Sequence, residues 1–331
     1  MSTYEDTSGD SETDGTNRDE RTATDGQSAE ATSAASAAAS AADADAGNVD
    51  VVDAELAEST GPELFVEDIS LSYGDDDPVV DAETVVVPEG EVTALVGPNG
   101  SGKSTLLRAM SAEMKPDRGS VLLDGDDVQS FDTKALAKEL GMLSQENTAP
   151  SSTTVRDLAM HGRYPHRGFF ERTSEEDERA VERAIERVGV THLADRPVGD
   201  LSGGQKQLAW LAMVLAQETD VLLLDEPTTY LDLHHQLRVL DAVRELNEAR
   251  GVTVAVVLHD IGQAARFADN LVALRDGEPY DWGPPDEVVT DDLLRDVFGV
   301  EADVGFGPDG PTVTPRRALD EADGDARGDD D

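Results

Sequence analysis

The chain has 331 residues, a formal net charge of −45 and no cysteine, which excludes disulfides, thiolate metal sites and cysteine nucleophiles. No apolar run approaches the roughly 20 residues that span a bilayer, and the acidic, Ser/Thr-rich start lacks the basic-then-apolar pattern of a secretory signal, so a soluble, cytosolic chain is expected. Residues 1–60 carry 15 acidic and 2 basic residues, which leaves −32 on the other 271; so carboxylated a surface opposes nucleic-acid binding, which needs basic patches against phosphates.

In chain order, residues 1–60 hold almost no large apolar side chains and cannot offset the entropy of ordering, so a disordered acidic tail is expected there. Residues 312–331 have the same character and are expected to be a second tail. The folded domain should then occupy 61–311. Leu64–Tyr73 alternates as a strand does, and Glu91–Val96 is a short apolar strand that runs into a glycine-rich loop. A helix is predicted from Lys103 to about Ala112, and another over Asp132–Leu140, stopped at Gly141. Ser174-Glu-Glu-Asp177 reads as a capping box, and the apolar Ala180, Val181, Ile185 and Val188 that follow share one helix face. Val221–Leu224 and Val252–Leu258 read as central strands buried on both faces. Strands alternating with helices predict an α/β fold with a largely parallel sheet, and the helical stretch over about 146–198 reads as an inserted subdomain.

Three local patterns carry chemistry. Gly97-Pro98-Asn99-Gly100-Ser101-Gly102-Lys103-Ser104-Thr105 matches the phosphate-loop pattern between a strand and a helix. Its glycines let successive N–H groups turn toward phosphates, and the helix start adds its positive dipole end. Lys103 would reach the β- and γ-phosphates of a nucleotide and the Ser104 hydroxyl would ligate Mg²⁺. In the second pattern, the apolar strand Val221–Leu224 delivers Asp225 and Glu226 to its C-terminal end, where ligands bind in open α/β sheets. Asp225 suits a Mg²⁺ partner and Glu226 suits a general base toward a water. In the third, Leu201-Ser202-Gly203-Gly204-Gln205, Ser202 and Gln205 fit a capping box, and the glycines expose N–H groups at a second anion-binding helix start.

The third pattern resembles the signature of the ABC ATPases, and the order of all three agrees with that family. The resemblance implies a P-loop NTPase with a RecA-like parallel core, an N-terminal antiparallel β portion and a helical subdomain. It implies a homodimer paired head to tail, in which ATP with Mg²⁺ lies between one subunit's phosphate loop and the other's signature. Further positions match the family one by one: Tyr73 as the aromatic that stacks on adenine, and Gln145 as the loop glutamine near Mg²⁺ and the attacking water. Asp232 matches the loop that crosses the dimer seam, and His259 matches the switch histidine at the γ-phosphate. The carboxylate-rich, lysine-poor composition is similar to that of proteins from salt-accumulating archaea.

Within the family, a single cassette without a membrane span implies separate permease subunits, and through them an extracellular substrate-binding protein. Such a motor would sit on the cytoplasmic face of the membrane. Gly162-Arg163-Tyr164-Pro165-His166 and Thr228-Thr229-Tyr230-Leu231-Asp232 resemble the motors of iron-siderophore, haem and cobalamin importers. Arg163, Tyr164, Arg167, Phe169 and Phe170 are expected to form a permease-docking surface on the helical subdomain. An importer of another small nutrient or metal, or a soluble non-transport ABC ATPase, remains the alternative.

Overall fold

The computed structural model describes residues 63–319 apart from 75–76, 146, 169–170 and 309. The tail expected over 1–60 lies outside the described residues, as do Phe169 and Phe170 and the end of the second tail.

A small antiparallel sheet is built from β1 (Leu64–Leu71), β2 (Val80–Val87), β4 (Arg118–Leu123) and the two-residue β5 (Asp126–Asp127), in the order β2-β1-β4-β5. The larger sheet contains β3 (Val92–Val96), β6 (Leu140–Leu143), β7 (Val221–Asp225), β8 (Thr253–Val257), β9 (Asn270–Arg275) and β10 (Glu278–Gly283). Its order is β10-β9-β3-β8-β7-β6. The five strands from β9 to β6 run parallel and only the edge strand β10 is antiparallel.

The helices are α1 (Lys103–Met110), α2 (Thr133–Glu139), α3 (Val155–His161), α4 (Glu175–Arg187), α5 (Gly203–Gln217) and α6 (Leu233–Arg250). α7 (Ile261–Phe267) and the short α8 (Pro285–Val288) and α9 (Asp291–Asp296) precede a hairpin of β11 (Val300–Gly307) and β12 (Gly310–Ala318).

Both faces of the parallel sheet are buried, which is why its strands read as unbroken apolar runs. Alternate residues of one strand serve two different cores. Val92, Ala94 and Val96 of β3, with Leu222 and Leu224 of β7 and Val254 and Val256 of β8, pack with the helical arm and with α6 and α7. Leu95, Leu223, Ala255 and Val257 face the other way, against Leu106, Leu107 and Met110 of α1 and the inner face of the small sheet. The sheet is therefore clamped between two apolar layers, and its strand ends are held in fixed relation to α1.

Two boundaries differ from the sequence reading. The chain does not lose structure at 312: β12 runs to Ala318, paired with β11 from Gly307↔Gly310 to Val300↔Ala318. Polar residues and prolines hide this strand in the sequence, and pairing with β11 supplies what its own composition lacks. The helical arm also does not end at 198, because α5 packs on α3 and α4 in one apolar cluster through Leu208, Leu211, Ala212 and Leu215. The capping box at α4 forms as the sequence predicts: the Ser174 hydroxyl accepts from the Asp177 N–H, and Asp177 accepts from the Ser174 N–H.

Candidate functional site

Strand β3 ends at Val96 and the loop to α1 turns on glycines whose place nothing larger could take. At Gly97 a Cβ would lie 2.2 Å from the Leu274 carbonyl oxygen, and at Gly102 it would lie 2.6 Å from a Val80 methyl, with φ at +93°. Gly102 caps α1 without any side-chain bond, so the first N–H groups of that helix are left for a ligand. Above them opens a cleft of about 470 Å³, lined among others by Asn99, Gly100, Lys103, Ser104, Gln145, Glu226 and His259.

Lys103 is almost fully buried, and its ammonium donates to the carbonyls of Gly97 (2.9 Å) and Pro98 (2.7 Å). Burial pulls its pKa down, while the Glu226 and Asp225 carboxylates oppose that. It also reaches the hydroxyl of Ser101 at 3.4 Å. The ammonium is thus held in the loop by neutral carbonyls, an arrangement that a phosphate oxygen with full negative charge can outcompete.

The Ser104 hydroxyl donates to Asp225 Oδ1 at 2.8 Å across 121 residues of sequence. Asp225 is 4% exposed, and burial pushes its carboxyl up against the opposing effects of the Ser104 bond, His259 and Lys103. A buried carboxylate beside a hydroxyl is a hard oxygen pair of the kind that suits Mg²⁺. Among the described residues no group of three or more His, Cys, Asp or Glu could hold a metal. One carboxylate and one hydroxyl are hard oxygen donors that fill only part of an octahedral shell, so the pair would fit a Mg²⁺ that brings phosphate oxygens as further ligands.

Glu226 follows directly on Asp225, its side chain 10% exposed. His259 Nε2 lies 2.7 Å from its Oε1, and Oε2 accepts from Gln145 Nε2 at 2.9 Å and from the Thr229 hydroxyl at 3.0 Å. A carboxylate only accepts, so the His259 tautomer carries its proton on Nε2. Gln145 and His259, far apart in sequence from Glu226 and from each other, are brought onto its carboxylate in the cleft lining.

Other expected positions fall elsewhere. Tyr73 is absent from the cleft lining; its hydroxyl lies 3.2 Å from that of Thr105, and Arg108 donates to it and stands over its ring. It occupies the rim, joined to the site through α1. Leu201 is buried, and Ser202 and Gln205 form their reciprocal capping box at α5, but neither these residues nor Gly203 and Gly204 line the cleft. Within a single chain the starts of α1 and α5 therefore do not share one cleft. Asp232 caps α6, accepting from the His235 N–H at 2.9 Å and contacting its Nδ1 at 2.8 Å. The His235 backbone and ring together hold its carboxyl below the usual range.

Arg163 corrects the docking reading. It is 5% exposed and donates to Asp177 Oδ1 (3.1 Å), the Ala216 carbonyl (2.9 Å) and Glu218 Oε2 (3.3 Å). It is an internal tie of the arm, whereas Tyr164 next to it is 57% exposed. Sequence reasoning missed Thr229 as a partner of Glu226 and Val79 as a wall of the cleft. The first had a local signal, a hydroxyl three residues beyond Glu226; the second had none, because Val79 arrives from the small sheet.

Comparison with known proteins shows the family of the chain. A family model described as ABC transporter matches residues 81–229. The ferric enterobactin transport ATP-binding protein FepC of Escherichia coli is 49% identical over 234 residues, 71% of this chain and 86% of that one. The cobalamin import ATP-binding protein BtuD of Halobacterium salinarum is 41% identical over 239 residues, 72% of this chain and 60% of that one. Among solved structures, the dimeric ABC transporter cassette MJ0796 superposes with a TM-score of 0.61 at 27% identity, covering 67% of this chain and 98% of that one. Identity of that extent over most of both chains is a family relationship, and the chain belongs to the ATP-binding, ATP-hydrolysing subunits of the ABC transporters.

Proposed function

We propose that the chain is the motor of an importer for an iron chelate (a siderophore or haem) or cobalamin, with a ferric siderophore as the first candidate and cobalamin as the second. The cleft geometry supports the ATPase chemistry. The substrate reading is supported by the higher identity to FepC, whose name specifies ferric enterobactin, than to BtuD, whose name specifies cobalamin. Among the described residues no helix is long and apolar enough to cross a membrane; in this reading separate membrane-spanning permease subunits carry the substrate and this motor sits on their cytoplasmic side.

The observation that carries the mechanism is the convergence of Gln145, His259 and Thr229 on Glu226, across the cleft from Lys103. Lys103 would exchange its carbonyl partners for β- and γ-phosphate oxygens. Ser104 and Asp225 would hold Mg²⁺, which neutralises charge on the phosphates. Glu226 would accept a proton from water as its oxygen attacks the γ-phosphorus and the bond to the leaving ADP oxygen breaks. Gln145 and His259 would turn from Glu226 toward the γ-phosphate, so the helical arm would feel the nucleotide through Gln145. Because the Ser202–Gln205 helix start stands outside its own cleft, a second copy would bring it to the nucleotide, head to tail.

Glu226→Gln in the full chain should bind ATP, trap a closed dimer and hydrolyse poorly; normal turnover would remove Glu226 as the base. Proteoliposomes holding the complete complex should take up a ferric siderophore in preference to cobalamin. The reverse preference would move the assignment to cobalamin, and uptake of neither would remove both.

A further inference from the structure

The three donors on Glu226 are not equivalent. Gln145 comes from the loop after β6 that leads into the helical arm, and His259 from the loop after β8. In the proposed function both would turn to the phosphates once a nucleotide enters. Thr229 instead belongs to the same tight turn as Glu226. Its hydroxyl donates to Glu226 Oε2 at 3.0 Å, and its N–H donates to the Glu226 carbonyl at 3.2 Å. Pro227 occupies the second position of that turn, where its fixed φ favours the geometry. One residue therefore grips Glu226 at both its backbone and its carboxylate.

The grip matters because Glu226 sits at φ +50°. This left-handed conformation is uncommon for residues other than glycine and persists only where the surroundings over-determine it. An ionised carboxylate offers about four lone-pair sites, and His259, Gln145 and Thr229 occupy three of those of Glu226. If Gln145 and His259 swing to the phosphate as proposed, sites open for the attacking water and the carboxylate loses two of its three anchors. The remaining one is Thr229.

We propose that Thr229 is a positioning residue for Glu226, keeping the carboxylate aimed at the attacking water while Gln145 and His259 are engaged elsewhere. The proposal rests on Glu226 being the general base. Its hydroxyl is committed to Glu226, so its loss should appear in the rate of hydrolysis and not in the affinity for ATP.

The test is steady-state ATPase kinetics of the full chain for wild type, Thr229→Val, Thr229→Ser, Glu226→Gln and the Thr229→Val/Glu226→Gln double variant, each with its melting temperature. Val keeps the shape and removes the donor; Ser restores the donor. Thr229→Val should lower kcat about 10-fold with KM changed by less than about 2-fold, since small misplacements of a reacting group cost rate steeply. Thr229→Ser should recover most of that kcat. On the Glu226→Gln background the Val change should alter the residual rate by less than about 2-fold, the non-additivity of residues that act through one another. Wild-type kcat in Thr229→Val beside an inactive Glu226→Gln overturns the proposal and leaves the base in place. A fall in kcat that Ser fails to restore, or one matched by a rise in KM, assigns Thr229 to packing or to ATP contact and also overturns it. Normal turnover by Glu226→Gln removes the base itself, and the proposal falls with it.

Discussion

Replacing Arg163 by Met separates an internal tie from a docking surface. The guanidinium side chain is 7% exposed and its partner Asp177 6%. It joins the residues after α3 to the cap of α4 and to the last turn of α5 through Asp177 Oδ1, the Ala216 carbonyl and Glu218. Met keeps much of the buried stem but removes the charge and every donor. Removing one partner of a buried ion pair costs about 3–5 kcal/mol, because the other charge stays behind uncompensated. Asp177 would retain bonds from the Ser174 N–H (2.9 Å) and hydroxyl (2.8 Å), which points to the lower end, about 3 kcal/mol. For a domain of this size that is a fall in Tm of roughly 6–12 °C. Thermal unfolding of the full chain, followed by circular dichroism, measures it. The Arg163→Met/Asp177→Leu double variant should recover part of the loss, since no charge is then stranded. An unchanged Tm in Arg163→Met, with loss of permease association, would refute the tie and restore the docking reading.

The same network has a pH signature. Burial alone would raise the Asp177 carboxyl, but the Ser174 bonds and Arg163 outweigh it and hold the pKa below the ordinary value. The contribution is therefore complete above the unfolded pKa of about 3.9 and is lost as the pH falls through the lower folded value. The deficit of Arg163→Met should be full at neutral pH and shrink in acid below about pH 4; a deficit constant down to pH 2 would exclude Asp177 as its source.

Two other perturbations follow from the site and the surface. Gly102→Ala would force a Cβ to within 2.6 Å of a Val80 methyl at φ +93°. The strain, on the order of 1–3 kcal/mol, should displace the phosphate loop and weaken ATP binding in calorimetric titration; unaltered binding would show that the loop does not need its observed path. Raising KCl from 0.1 M to 1 M shortens the Debye length from about 10 Å to 3 Å, so a chain of net charge −45 should gain several degrees of Tm. A Tm that falls or stays level would mean that its carboxylates are already neutralised within the fold.

Much of the site was legible because its logic is local. The phosphate loop, the carboxylates at the end of β7 and the Ser174 and Ser202 capping boxes each need only a few consecutive residues, and such short-range geometry is encoded by residue type and spacing. The central strands β7 and β8 were legible as apolar runs for a related reason: burial on both faces leaves no polar alternation. The Glu226–Thr229 turn belongs to this class too, since both residues lie in one four-residue unit, although only the structure makes the bond visible.

The sequence by itself determined the phosphate loop, the strand that delivers Asp225 and Glu226, and a second capped helix start, because these depend on contacts within a turn or two. Only the tertiary structure decided that Gln145 reaches Glu226 across 81 residues, that Arg163 points inward, that Tyr73 stays at the rim and that β12 extends to Ala318. Each of these depends on which distant surface a segment meets. An arginine or a polar strand carries no mark of its partner in its own neighbourhood, and its burial is set when the layers pack.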